Sequence, residues 1–131
     1  MPLTLADAQK AVQAAQAAAV KMGVNVSICV VDPHGDLVAS ARMDKARFFT
    51  ADVARGKAMV SAMFGQLSGA MAERAGSPIM QNLNQMNQGK LFFAQGAVPI
   101  TKDGEILGAL GVSGATSQQD EDVAKAGLAV I

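Results

Sequence analysis

Arg42-Met43-Asp44 is the triplet with the clearest capacity for chemistry. It closes a candidate strand and precedes a candidate helix, so its side chains gather at one end of a sheet. A guanidinium offers a bidentate fork, which makes Arg42 a candidate anchor for a carboxylate or propionate. Asp44 is a candidate general base. Lys57, with Arg55 on the following helix, would add positive charge to stabilise a developing anion. The plainer readings are an Arg42–Asp44 ion pair that fixes the corner, and a solvated helix face for Arg55 and Lys57.

Metal and nucleophile chemistry have little to work with. The chain holds one His and one Cys, neither at ligand spacing with another donor, so no metal centre is expected. His34 falls in a turn, where nothing fixes an imidazole as a Ser-His-Asp relay requires. Cys29 has no partner for an intrachain disulfide. It sits in an apolar run, where a buried, inert thiol is expected. Gly104, Gly108, Gly111 and Gly114 match neither a phosphate loop nor a dinucleotide fingerprint. They lie in or beside a strand and point to close helix-on-sheet packing. The methionines at 59, 63, 71, 80 and 86 cluster in the middle third. Core filler is one account and an adaptable pocket or subunit interface is another. A thioether can also ligate haem iron, although nothing selects one Met for that role.

The elements that must position these residues follow from period and caps. Residues 4–22 read as a helix, with Thr4 as N-cap, Asp7 as its partner and Gly23 as the stop. Leu5, Ala8, Val12, Ala15, Ala19 and Met22 form its apolar stripe. Residues 24–31 change to a period of two: Val24, Val26, Ile28 and Val30 share one face, and Asn25, Ser27, Cys29 and Val31 the other. Residues 32–36 make a turn, and residues 36–42 return as the second strand of a hairpin. Residues 48–64 read as a second helix, with Gly56 inside its stripe where another backbone approaches closely. Residues 70–75 read as a helical turn and residues 79–86 as a short helix opened by Ser77-Pro78. Residues 90–95 are expected as a third strand and residues 97–101 as a fourth, with Pro99 demanding an edge or a bulge. Residues 102–104 turn the chain into a fifth strand, residues 105–113, nearly apolar and covered on both faces. Ser117 is expected to cap the last helix, whose first turn carries Asp120, Glu121 and Asp122. Hairpin-linked strands flanked by helices indicate an α+β domain with an antiparallel sheet.

The whole chain of 131 residues suits one domain, residues 1–131. Eleven basic and eleven acidic residues cancel. That balance argues against nucleic acid or an anionic membrane as partner, and it permits self-association. Trp and Tyr are absent, so the core is built from Val, Ile, Leu, Met and Ala. The start of the chain has no basic region followed by a long apolar one, and no apolar stretch reaches the roughly 18 residues of a membrane span. A cytoplasmic location is therefore expected.

Four segments, in this order, resemble one family: residues 26–32 followed by Pro33-His34-Gly35-Asp36; Arg42-Met43-Asp44; Gly96-Ala97-Val98-Pro99-Ile100; and Gly108 to Gly114 followed by Gln119-Asp120-Glu121-Asp122. Their spacing is similar to the GlcG/HbpS-like family, which includes the C-terminal domain of PduO-type proteins. The resemblance spans nearly the whole chain. It implies a profilin-like fold, a five-stranded antiparallel sheet with helices on both faces. It also implies a homo-oligomer that binds a small-molecule ligand, with haem and corrinoid association or small-molecule catabolism in the family. The candidate ligand site then adds Met43, Gly96 and Pro99 to Arg42, Asp44 and Lys57. Two departures stand out. Haem-binding members supply a His from or near the first helix, and this helix has none, so haem ligation by that His is not supported. Ala97 stands where the family usually has the second Gly of Gly-Gly-x-Pro, and its methyl narrows a close backbone approach. The leading function is thus a small-ligand-binding oligomer, for haem or another tetrapyrrole. An enzyme acting on a small organic acid or aromatic catabolic intermediate is the second, and a purely structural role the third.

Overall fold

The computed structural model describes residues 2–131. Helix α1 (Leu5–Met22) leads into strands β1 (Ser27–Val31) and β2 (Leu37–Arg42). Helix α2 (Thr50–Phe64), a 3-10 helix (Ser68–Arg74) and helix α3 (Pro78–Met86) follow. Strands β3 (Ala97–Lys102) and β4 (Glu105–Ser113) precede helix α4 (Ser117–Leu128). Local chemistry accounts for the ends. The Thr4 hydroxyl accepts from the Asp7 amide at 3.0 Å and opens α1. Gly23, in the left-handed region at φ 73°, closes it.

Among the described residues the sheet has four strands, in the order β2-β1-β4-β3, all neighbours antiparallel. The expected third strand, residues 90–95, does not join it. Its polar backbone atoms go elsewhere: Leu91 N donates to Asn84 Oδ1 at 2.9 Å and Phe92 N to the Gly56 carbonyl at 3.2 Å. The apolar residues that suggested a strand instead pack sideways, Leu91 joining Met59, Val60, Met71 and Met80. The cap of α4 also differs from expectation. Thr116, not Ser117, accepts from Gln119 N, and Gln119 Oε1 accepts from Thr116 N, a reciprocal capping box.

The alternation along β1 sorts the core into two layers. Ile28 and Val30, with Val98, Ile100, Leu110 and Val112, face α1 and α4. Cys29, Val31 and Ala109 face Ala54, Ala58 and Ala62 of α2. Helices therefore cover both faces. Alanines on α2 and Gly111 on β4 let that helix lie close. A Cβ on Gly111 would collide with the Ala54 carbonyl oxygen. The start of α2 is pinned to the sheet by a buried Ser27–Thr50 hydroxyl pair at 2.8 Å. No helix is long and apolar enough to cross a membrane.

Candidate functional site

The connection from β2 to α2 is short and held by its own backbone. Met43 N donates to Val26 O, Ala46 N to Met43 O, and Thr50 N to Arg47 O. Lys45 takes a left-handed conformation at φ 72°. The result turns Arg42, Asp44, Lys45 and Arg47 out to solvent. Two adjoining depressions flank this connection and share Asn25. The smaller, about 330 Å³, is lined by Gln16, Arg42, Met43 and Asp44. The larger, about 470 Å³, is lined by Lys45, Arg47, Phe49, Thr50 and Ser113. Phe48 stands nearly free in solvent, edge-on to Phe49 with ring centroids 5.6 Å apart. Three cations against one carboxylate, with hydroxyls below and aromatic rings beside them, suit an anion that carries an apolar body.

The sequence-derived candidates divide into separate groups. Arg42, Met43 and Asp44 share the smaller depression, and no ion pair joins Arg42 to Asp44 among the described residues. Lys57 and Gly96 meet elsewhere, in the interior. Lys57 Nζ donates to the Val112 carbonyl at 3.1 Å and pairs with Asp120 Oδ2 at 3.2 Å. Asp120 Oδ1 accepts from Ala115 N at 2.9 Å. A Cβ on Gly96 would lie 2.7 Å from the Lys57 ammonium, so the glycine makes room for the pair. Pro99 lies half-buried on β3, the edge position its ring requires.

A third depression carries a group that spacing alone did not single out. Residues 89–92 lie across α2, tied by the Phe92–Gly56 hydrogen bond. A Cβ on Gly56 would collide with the Lys90 carbonyl oxygen. The cleft between them, about 460 Å³, is lined by Asp52, Val53, Arg55, Met59, Lys90 and Phe92. Arg55 Nε is buried there without a hydrogen-bond partner. Behind it Cys29 is buried too. Burial pushes its thiol up to about 12, with the Arg55 charge pulling the other way. The sequence signal for this cleft was Gly56, whose close neighbour turns out to be the Lys90 carbonyl. His34 is exposed at the β1–β2 turn, its amide donating to Asp32 Oδ1 at 2.9 Å.

Comparison with known proteins places these features in context. A family model, HbpS-like, described as haem degrading protein HbpS-like, matches residues 3–129. Protein GlcG of Escherichia coli K12 is 36% identical over 110 residues, covering 78% of this chain and 74% of GlcG. A double mutant of Streptomyces reticuli HbpS superposes with a TM-score of 0.87 at 33% identity, covering 100% of this chain and 88% of that one. A PduOC–haem complex superposes with a TM-score of 0.88 at 27% identity, covering 100% and 96%.

Haem can be tested against the residues present. Arg42, Lys45 and Arg47 fit its carboxylates. The outward face of α1 carries Gln9, Gln13, Gln16 and Val20 and offers iron no imidazole; the exposed sulfur of this helix is that of Met22, in its last turn. Among the described residues no group of three His, Cys, Asp or Glu is placed to hold a metal ion. The chain thus fits the acidic edge of the group and offers its iron no imidazole from α1.

Proposed function

The chain belongs to the HbpS-like family, and on that premise we propose that it is a small-ligand-binding protein for an apolar anion, haem or another tetrapyrrole included. The observation that carries this reading is the β2–α2 connection, which sets Arg42, Lys45 and Arg47 around two adjoining depressions beside exposed aromatic rings. Arg42 anchors one carboxylate, Arg47 and Lys45 a second, and Met43 supplies an apolar contact in the smaller depression. Lys57, Gly96 and Pro99 serve the scaffold: the Lys57 ammonium already has two partners and faces inward. The fold assignment is profilin-like, and the working form is a cytoplasmic homo-oligomer.

Hemin titration of the purified protein tests this. A Soret shift at micromolar hemin is expected, weakened about tenfold when Arg42→Ala and Arg47→Ala are combined. His34→Ala and Met43→Leu report on ligation. No Soret shift discards haem, and undiminished binding by the double variant discards the site.

A second reading has its own observation. Asp44 shares a depression with Arg42 without being paired to it, which leaves a carboxylate beside an anion anchor. That arrangement suits proton abstraction from a small organic acid of catabolism. Turnover on a panel of such acids, unchanged in Arg42→Ala, removes Arg42 from any mechanism.

A further inference from the structure

The cleft between α2 and residues 89–92 lies apart from the β2–α2 connection and plays no part in the function proposed above. Its most unusual atom is Arg55 Nε, buried with no partner. A buried donor left unpaired forfeits its hydration, at a greater cost on a charged group, and each such atom in a native structure calls for a reason. Among the described residues no anion pairs with this guanidinium. Asp52, the acidic residue lining the cleft, makes no ion pair with it among the described residues. Cys29 behind it stays a neutral thiol. Lys90, exposed, adds a second cation at the rim, and the apolar lining comes from Val53 and Met59 on α2 and Phe92 on the opposite wall.

We propose that this cleft binds a small apolar monocarboxylate, whose carboxylate accepts from the Arg55 guanidinium and the Lys90 ammonium while its hydrocarbon lies on Val53, Met59 and Phe92. The charge count selects a monoanion, because two cations face one carboxylate. The volume, about 460 Å³, falls within the range of small-molecule sites. Guanidinium and carboxylate are matched in geometry, and a carboxylate is the simplest group that satisfies Nε together with a terminal nitrogen. Gly56 is part of the construction: without a side chain it lets residues 90–92 lie close enough to α2 to form the second wall.

The probe is 4-phenylbutyrate, added to the full chain labelled with nitrogen-15. The Arg55 Nε–Hε resonance is expected to shift on titration, with a Kd of about 1 mM. Calorimetry of Arg55→Gln is expected to show binding weakened about tenfold or more, while Lys21→Ala, on a helix of the opposite face, binds as the parent does. An unmoved Arg55 resonance at saturating probe overturns the proposal, and this readout stands even if Arg55→Gln fails to fold. Equal binding of 4-phenylbutan-1-ol overturns it as well. Tighter binding of phenylalanine than of 4-phenylbutyrate replaces the monocarboxylate class with a zwitterion held by Asp52, and so overturns it too.

Discussion

Helix α2 faces two unlike environments along its length. Where it approaches β4 and α4, Lys57 is enclosed and fully engaged, with Asp120 and the Val112 carbonyl as partners. Where it approaches residues 89–92, Arg55 stands only two positions away with its Nε buried and unpaired. Both are cations on the same helix with polar hydrogens turned away from water, Lys57 as a whole and Arg55 through its Nε. What separates them is the neighbour supplied by the rest of the chain. Lys57 meets a carboxylate from the first turn of α4, and Arg55 meets a cleft. The first is a joint between layers, and the second is a donor still to be satisfied.

Breaking the joint is expected to have the largest effect. Lys57→Met leaves the Asp120 carboxylate buried with only the Ala115 amide and the start of α4 for company. Stability is expected to fall by about 3–5 kcal/mol, read from the urea midpoint. Adding Asp120→Asn removes the stranded charge and should recover part of the loss. A single variant as stable as the parent would show that the pair joins nothing.

Gly56→Ala attacks the other environment. The added methyl meets the Lys90 carbonyl, a backbone atom that cannot swing aside, so residues 90–92 must move off α2. Overpacking of this kind costs about 1–3 kcal/mol, reduced by up to about 1 kcal/mol because Ala favours the helix. Faster hydrogen exchange at the Phe92 amide, which donates to the Gly56 carbonyl, is the local sign of the movement. Unchanged exchange would mean that the second wall of the cleft does not depend on Gly56.

The smallest effect concerns the thiol behind Arg55. Cys29 is raised from 9.0 to about 12 by burial, so the folded protein holds its proton more tightly than the unfolded chain. This contribution is complete well below pH 9 and is lost as pH climbs toward about 12. The loss grows by about 1 kcal/mol between pH 9 and 10. Urea midpoints of the parent and of Cys29→Ala over that interval isolate it from the lysines. An identical pH dependence in the two proteins would show that Cys29 titrates normally, and a thiolate there would give Arg55 the counter-ion it otherwise lacks.

Much of the scaffold was legible because it rests on short-range rules. Thr4, Asp7 and Gly23 bound α1 as caps do. The alternation from Val26 to Val31 sorted the two layers, and Pro99 put β3 at an edge. Residues 90–95 misled because apolar content reads the same whether it packs under a sheet or against a helix; only the Asn84 and Gly56 partners decide. The α4 cap slipped by one residue because Thr116 and Ser117 are both good caps, and Gln119 is placed to close the box on Thr116 alone.

The candidate site was legible in the same uneven way. Arg42-Met43-Asp44 stayed together because neighbours in sequence at the end of a strand remain neighbours in space. Lys45 and Arg47 joined them through the tight backbone of the connection, which the left-handed Lys45 made and no spacing announced. Lys57 was placed beside Arg42 by sequence and beside Asp120 by the fold, across 63 positions.

By itself the sequence determined the helices, the four strands that pair and the faces they bury, the buried thiol and the Arg42-Met43-Asp44 corner, since periodicity, caps and turns act within a few residues. Tertiary structure alone decided which cation is neutralised and which is not. Lys57 and Arg55 have much the same local surroundings in the chain. Their difference arises from Asp120 on α4 and from residues 89–92, segments whose positions are fixed only when the sheet closes and the layers pack.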